Sequence, residues 1–334
     1  MENIKVYTFG SCRTKYIHEE NNGTYSIINR DFFTHSPFEI LQILDFFENK
    51  KNLDDSLFPK AFNYFNLELE KKLFNEADLV LIEVSSIKNI YDDNNISYNI
   101  VYLDTEYHQE HGNHWDWINK KLNNRSLTCL DEVINILREI KNRIKKPIIF
   151  QGHVNFPFKT NEIGRSYDKP TYIKNRQFID DAIKIVSNNY IIYNEIFKLE
   201  NINLVCQYSN SIINANKNRI KFNHNKIIIN NYRTINNINK DDNLRILYLN
   251  DKDNKIRIFN ENVKINSIIY DELPVVFKFN ENNLDLTKLI NSDLIHIVDN
   301  SEPIIDQNHI TKYAHIKLFL KFNELANKIL NINN

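Results

Sequence analysis

The chain has 334 residues, 42% of them hydrophobic, and a formal net charge of −1, which suits one packed domain with an insertion. The apolar content excludes a disordered chain, and the near-zero charge excludes the strongly basic surface typical of a nucleic-acid-binding protein. No apolar run approaches the roughly 18 residues of a membrane span, the amino terminus lacks the basic start of a secretory signal, and the cysteines are scattered. We therefore expect a cytoplasmic protein with no nucleic-acid partner and no membrane span; the sequence gives no indication of its oligomeric state.

Strands and helices alternate along the first part of the chain. Residues 78–84 are almost continuously apolar, which is typical of a strand buried on both faces of a parallel sheet. Ser36-Pro37-Phe38-Glu39 has the pattern of a capping box at the start of a helix. The other predicted strands are residues 4–9, 24–28, 147–150 and 190–193, and the other predicted helices are residues 130–144 and 173–186. This alternation predicts an α/β fold, a flavodoxin-like parallel sheet with helices on both faces.

The pattern changes after Cys206. Short β-rich runs follow, separated by Asn- and Asp-rich turns and by no amphipathic helix, at residues 226–229, 244–249, 255–259, 263–270 and 275–279. Helical spacing returns over residues 311–330. We predict an α/β domain formed by residues 1–205 and completed by residues 300–334, with residues 206–299 as a β-rich insertion before the C-terminal helix.

Two segments carry residues suited to nucleophilic catalysis. Ser11 stands just past the first predicted strand, where residues face the ligand crevice of an open α/β sheet. Asp306 and His309 lie three residues apart just before the last predicted helix. A serine hydroxyl becomes a good nucleophile when an imidazole accepts its proton, and a carboxylate can orient that imidazole. The alternative interpretation is structural, because Ser and Asp are also favoured helix N-caps.

Together, Gly10-Ser11-Cys12 and the late Asp-x-x-His resemble the SGNH/GDSL hydrolase superfamily, in the Gly-Ser-Cys form of some bacterial members. The resemblance implies that Ser11 is the nucleophile, that His309 shuttles its proton and that Asp306 orients His309. Because such bacterial members are associated with polysaccharides, it also implies a carbohydrate substrate with an O-acyl ester. Transfer of the acyl group to water would make an esterase, and transfer to a glycan hydroxyl from a donor such as acetyl-CoA would make an acyltransferase. No other cofactor is implied.

The resemblance further implies an oxyanion hole made by the nucleophile's own backbone N–H, a glycine N–H and an asparagine side chain after the third strand. Gly23 is the candidate glycine. Ile87 stands roughly where the asparagine is expected, so the donor set departs from the family's pattern. Other side chains could replace the missing donor: Ser85, Ser86, Lys88, or Asn155 from the end of the fourth strand.

Further polar residues lie near the predicted ends of strands. Arg13 and His35 could bind an anionic group of a substrate, and His153 closes the fourth strand at the edge of the crevice. Each of the three could instead be a structural or surface residue. Cys12 is an alternative nucleophile beside Ser11, or a small side chain packed beneath the following helix.

Residues 107–117 contain three histidines, His108, His111 and His114, at a spacing that could bind a transition metal. Gly112 and Asn113 indicate a loop rather than a helix face, so we predict no metal site here. We interpret the segment as a loop over the active site, with Trp115 and Trp117 offering flat faces to a sugar ring. Burial of both tryptophans in the core is the alternative.

Two other functions fit the same sequence. A transferase of polysaccharide assembly could use this fold without the serine pathway, which the missing asparagine favours. A non-catalytic glycan-binding protein could use the β-rich insertion as its binding surface.

Overall fold

The structure is a computed structural model in which the chain forms two compact units. Unit 1 consists of Met1–Pro157, Lys169–Lys198 and Lys317–Asn334, and unit 2 consists of Phe158–Asp168 and Leu199–Ile316. Between residues 207 and 309 the structure describes the backbone only. The described residues are 3–21, 23–29, 34–50, 66–93, 95–98, 122–155, 170–197, 205–208, 211–216, 220–223, 226–229, 243–252, 255–269, 275–279, 294–299 and 305–332.

Unit 1 alternates strands and helices in the manner that the sequence predicts. A short 3-10 helix, Cys12–Lys15, follows its first strand. The elements are β1 (Ile4–Phe9), α1 (Tyr16–Glu19), β2 (Tyr25–Ile27), α2 (Pro37–Phe47), α3 (Leu67–Glu76), β3 (Leu79–Glu83), β4 (Lys88–Tyr91), β5 (Asn123–Ser126), α4 (Leu130–Arg143), β6 (Ile148–Gln151), α5 (Pro170–Val186), β7 (Tyr190–Ile191) and α6 (Tyr193–Phe197).

The central sheet of unit 1 has the strand order β2-β1-β3-β6-β7, and every neighbouring pair is parallel. In chain order this is the arrangement 2-1-3-4-5 of flavodoxin-like sheets. The direction of winding therefore reverses between β1 and β3. The predicted fold class is confirmed, and the crevice of such a sheet lies beyond the carboxyl ends of these two strands.

Both faces of this sheet are covered, which explains why β3 is buried at every position and apolar at every position but the last, Glu83. Tyr7, Ile82 and Phe150 belong to one core cluster with side chains from α2, α4 and α5. Leu81 and Ile149 point to the opposite face and are also fully buried. The predicted capping box begins α2, because the Ser36 hydroxyl accepts the N–H of Glu39.

Unit 2 is rich in β-structure. Its strands are β8 (Cys206–Tyr208), β9 (Ser211–Asn216), β10 (Ile220–Asn223), β11 (Lys226–Ile229), β12 (Asn243–Lys252), β13 (Lys255–Ile269), β14 (Val275–Phe279), β15 (Leu294–Asp299) and β16 (Ile305–Ile310). An antiparallel sheet has the order β10-β11-β14-β13-β12-β15-β9, and β16 pairs with β8. The predicted β-rich segment before the last helix is thus present, although the two runs at residues 255–259 and 263–270 form one strand with a bulge between Ile265 and Ser267. The domain boundaries that we drew from the sequence stay a prediction.

The final helix, α7 (Lys312–Ile329), runs from the end of unit 2 into unit 1. Its buried Phe322 packs edge-on against Tyr16 and Tyr25. The Thr311 hydroxyl accepts the N–H of Ala314 at the start of the helix, whereas Asp306 lies in β16, so the alternative that Asp306 caps this helix is wrong. Among the described residues, no helix is both long and apolar enough to cross a membrane.

Candidate active site

Ser11 lies directly beyond β1, at the point between β1 and β3 where the winding of the sheet reverses. Its hydroxyl is 3.4 Å from the N–H of Arg13 and caps the 3-10 helix, and its carbonyl accepts the Thr14 hydroxyl at 2.9 Å. The capping role that we weighed as an alternative is therefore real. It leaves the hydroxyl proton of Ser11 available to another acceptor, because the cap uses an oxygen lone pair.

Gly10 allows Ser11 to approach the end of β3. A Cβ atom at Gly10 would stand 2.6 Å from Thr14 Cγ2 and 3.0 Å from Glu83 Cβ. A larger residue here would push Ser11 away from Glu83. The Gly-Ser pair is thus required by the packing between two strand ends.

Glu83 joins Ser11 to Arg13. It is the last residue of β3 and is fully buried, and its Oε2 accepts the Ser11 hydroxyl at 2.6 Å and the Ser11 backbone N–H at 2.8 Å. Its Oε1 accepts Arg13 Nε at 2.5 Å in an ion pair whose two side chains are 4% and 0% exposed. One carboxylate therefore binds both polar groups of Ser11 that a serine enzyme would use.

The Arg13 guanidinium keeps Glu83 charged. Burial alone would raise the pKa of the Glu83 carboxyl, but the charge of Arg13 and the hydrogen bonds from Ser11 outweigh burial and hold that pKa below its ordinary value. An ionised carboxylate can only accept hydrogen bonds. The Ser11 hydroxyl is consequently the donor in its contact with Glu83.

His35 lies before α2 and contacts the segment that follows β3. Its carbonyl accepts the backbone N–H groups of Ser85 and Ser86 at 3.0 and 2.8 Å, and its Nδ1 is 3.2 Å from Ser85 Oγ. Burial and the nearby Arg13 charge lower the pKa of His35 to about 4, so its imidazole is neutral at pH 7. The backbone N–H groups of Ser85 and Ser86 are thus both hydrogen-bonded to His35.

A second polar cluster lies beyond β6. His153 is 2% exposed and its Nε2 is 3.2 Å from Arg176 Nη2, while Arg176 Nη1 donates to the Val154 carbonyl. Burial first, then the charges of Arg13 and Arg176, lower the pKa of His153 well below its ordinary value. Asn155 donates to Gln177 at 3.2 Å. His153 is therefore a neutral imidazole close to two guanidinium groups.

Asp180 of α5 is buried beside this cluster. Neither of its carboxyl oxygens has a hydrogen-bond partner of normal geometry among the described residues. Burial raises the pKa of Asp180 to about 7, an effect that the nearby Asn155 amide partly offsets. Burial thus favours the protonated form of this carboxyl group.

The structure describes the surroundings of three positions that bear on the predicted oxyanion hole: Gly23, Ile87 and Lys88. The Gly23 N–H donates to Asn21 Oδ1 at 2.6 Å, and Gly23 has the positive φ of 95° that favours glycine in a turn. Lys88 is exposed at the start of β4, and Ile87 is 2% exposed in the hydrophobic core. No hydrogen bond within the described part of the chain links these three residues to Ser11.

Asp306 and His309 lie in β16, where Asp306 pairs with Gln207 of β8 and the register is irregular before Ile310. The structure describes only the backbone of these two residues. They belong to unit 2, whereas Ser11 belongs to unit 1. The predicted triad therefore stays a prediction. The segment with the three histidines and with Trp115 and Trp117 lies outside the described residues.

The residues that organise this site are not among the candidates that the sequence motifs indicate. Glu83, Arg176 and Asp180 are all buried and charged or titratable. A signal existed for Glu83, since it is the single charged residue at the end of the apolar run 79–84. That signal is weak, because carboxylates are mostly exposed and a charge at the end of an apolar run usually marks the point where a strand reaches solvent.

Within the part of the chain that the structure describes, no three His, Cys, Asp or Glu residues are grouped so as to hold a metal ion. Residues 4–121 match the TviD N-terminal domain family, a stretch that includes Ser11, Arg13 and Glu83. No curated protein and no solved structure matches the chain.

Proposed function

We propose that this protein is a serine-dependent enzyme that hydrolyses or transfers the acyl esters of a carbohydrate. The observation that carries the proposal is the position of Ser11, whose hydroxyl lies at the switch point between β1 and β3 and donates to the buried carboxylate of Glu83. The match of residues 4–121 supports a polysaccharide substrate, and O-acetyl transfer fits the same family. An SGNH-type mechanism agrees with both.

In this mechanism the Ser11 Oγ attacks the carbonyl carbon of an ester or thioester while its proton passes to a base. The bond to the leaving oxygen or sulfur then breaks, and the leaving group takes up the proton. Water or a sugar hydroxyl attacks the acyl-Ser11 ester and restores the serine. The SGNH resemblance assigns the base to His309 and its orientation to Asp306.

A second candidate function is favoured by one specific contact. The Ser11 N–H, which the resemblance assigns to the oxyanion hole, is donated to Glu83 at 2.8 Å. If that contact persists during the reaction, Ser11 is a structural residue and the protein is a polysaccharide transferase that uses another nucleophile. Glu83 and Arg13 would then simply hold the loop after β1.

Reaction of the purified protein with a fluorophosphonate probe, followed by intact mass, distinguishes these functions. We expect one adduct on the wild-type protein and none on Ser11→Ala. Ser126→Ala is the matched control, because Ser126 is an exposed serine at the end of β5, and it should keep the adduct. His309→Ala tests the assignment of the base from the resemblance. A folded wild-type protein that forms no adduct would refute the serine mechanism and favour the second candidate.

A further inference from the structure

We propose that Glu83 accepts the hydroxyl proton of Ser11 during the reaction, so that the two residues act as a catalytic pair. The inference rests on the proposed role of Ser11 as nucleophile. It gives Glu83 the role that the SGNH resemblance assigns to His309.

The hydrogen bond from Ser11 to Glu83 already joins the nucleophile to the proposed base. A serine hydroxyl has one proton, and in this structure that proton is directed to Glu83 Oε2 at 2.6 Å, within the range required of a general base. A hydrogen bond from a hydroxyl to a carboxylate of this length is charge-assisted. Transfer to Glu83 needs no movement of either side chain, whereas transfer to any other base first requires this bond to break.

One oxygen of Glu83 accepts two hydrogen bonds from Ser11, one from the hydroxyl and one from the backbone N–H. The Ser11 N–H is bound to the same Oε2, at 2.8 Å. When the proton moves from Oγ to Oε2, Oγ bonds to the acyl carbon and an electron pair moves onto the carbonyl oxygen. The protonated Oε2 is then a weaker acceptor, so the Ser11 N–H becomes available to the new oxyanion.

The negative charge of the buried site moves during the proposed step. Before the step the negative charge lies on Glu83, and after it on the oxyanion, so the buried site gains no net charge. The Arg13 guanidinium, which is paired with Glu83 at 2.5 Å, remains beside the new anion. If a histidine accepted the proton instead, the net charge would also be unchanged, but the Glu83 carboxylate would remain beside the new oxyanion and an imidazolium would form, so that two more charges would stand in a buried environment, which is unfavourable.

Arg13 also opposes the step, since it lowers the pKa of Glu83 and makes it a weaker base than a histidine. The same effect makes the proposal testable by pH. The titratable and charged groups around Glu83 are Arg13 of the 3-10 helix, Tyr16 of α1 and His35 before α2. Cys12, Tyr193 and His153 lie close to Arg13, and Arg176 lies beside His153. His35 is neutral above its pKa of about 4, and Tyr16, whose pKa is raised, is neutral throughout the range tested.

The experiment measures the rate of fluorophosphonate labelling of the full-length protein between pH 5 and 8, with circular dichroism at each pH to confirm the fold. We expect a change of less than about twofold between pH 7 and pH 5, because Glu83 stays largely ionised over that range. A histidine base with its ordinary pKa of about 6.5 would slow labelling by about 25-fold over that range. A fall of that size would overturn the inference and leave the serine mechanism intact.

Glu83→Gln provides the second arm. Its labelling should fall by roughly 100-fold or more, and the residual rate should rise about tenfold per pH unit because hydroxide replaces the lost base. Glu83→Asp keeps a carboxylate and should recover both part of the rate and the pH-independent profile.

If Glu83 only holds the loop in place, both variants label slowly with the wild-type profile, which contradicts the proposal. If Glu83→Gln does not fold, the wild-type and Glu83→Asp profiles decide. An unlabelled wild-type protein refutes the proposed function itself, so the two failures are distinguishable.

Discussion

Asp180 Oδ1 occupies the space that a side chain at position 152 would need: a Cβ on Gly152 would lie 2.1 Å from it. Gly152 follows β6, and Asp180 comes from the middle of α5. The end of the strand and the helix can approach this closely because one residue has no side chain. The contact also places a buried carboxyl group beside the strand end that leads to His153.

Gly152→Ala should lower the free energy of unfolding by about 1–3 kcal/mol, because the new methyl group must displace Asp180 in a packed interior. The measurement is urea unfolding of the wild-type protein, Gly152→Ala, Asp180→Ala and the double variant. In the Asp180→Ala background the same glycine substitution should cost much less, since the clashing oxygen is gone. Equal costs in both backgrounds would contradict the contact.

Asp180 should make stability depend on pH. Its pKa is about 7 in the folded protein against 3.8 for the ordinary group, so folding favours the protonated form. The free energy of unfolding therefore falls as pH rises from about 4 to 7, and the full penalty of burying the ionised carboxylate applies above pH 7.

Asp180→Asn removes this titration. The difference in unfolding free energy between Asp180→Asn and the wild-type protein should shift by about 2–3 kcal/mol in favour of the variant between pH 5 and pH 8. His35 titrates with the opposite sign, and its contribution is lost as pH falls from about 6.5 toward 4, but it is common to both proteins and cancels in the difference. A difference that is constant with pH would show that Asp180 is ionised throughout.

The buried pair of Glu83 and Arg13 should be sensitive to the loss of one partner. Glu83→Ala leaves the guanidinium, which is 4% exposed, without this carboxylate and should cost about 3–5 kcal/mol. The double variant Glu83→Ala with Arg13→Met should recover part of that loss, because a buried charge is removed together with its partner. Additive costs in the double-mutant cycle, measured by urea unfolding, would mean that the two side chains do not interact.

Phe322 should anchor α7 to unit 1. It is fully buried against Tyr16 and Tyr25, so Phe322→Ala should cost about 3–5 kcal/mol by leaving a cavity. Leu320 is the matched control on the same helix: it is 55% exposed, and Leu320→Ala should change the unfolding free energy by less than about 0.5 kcal/mol. Thermal unfolding of Phe322→Ala and Leu320→Ala measures both effects. Similar losses of stability in the two variants would argue against the packing of Phe322.

The strands of unit 1 were predictable because their signal is local. The run that became β3 is apolar at successive positions since both faces of a parallel sheet are covered, and the Ser36 capping box lies within four residues of sequence. The prediction of strand ends was less accurate where the apolar run covers only a few residues. Residues 190–193 were predicted as one strand, but β7 ends at Ile191 and a helix begins at Tyr193.

The partners of Ser11 were not predictable in the same way. A charged residue at the end of an apolar run is usually the point where a strand reaches solvent. Glu83 is buried because β3 lies beside β1 and because Arg13 enters from the segment after β1, and both facts depend on the topology of the sheet. The Gly-Ser motif indicated where a nucleophile was to be expected. The group that accepts the hydrogen bond of the Ser11 hydroxyl, however, lies on the neighbouring strand β3.

The position of α7 affects how the protein is made. Tyr25 donates a hydrogen bond to Asn323 at 2.7 Å, and these residues are 298 positions apart in the chain. At about 5–20 residues per second, a ribosome needs roughly 15–60 s to synthesise the chain between them. We expect the aromatic surface around Tyr25 to stay uncovered during that time, so that unit 1 completes its fold only once α7 has left the ribosome and the nascent chain is a substrate for chaperones until then. Proteolysis of stalled nascent chains should detect protection of this surface only once α7 has left the ribosome.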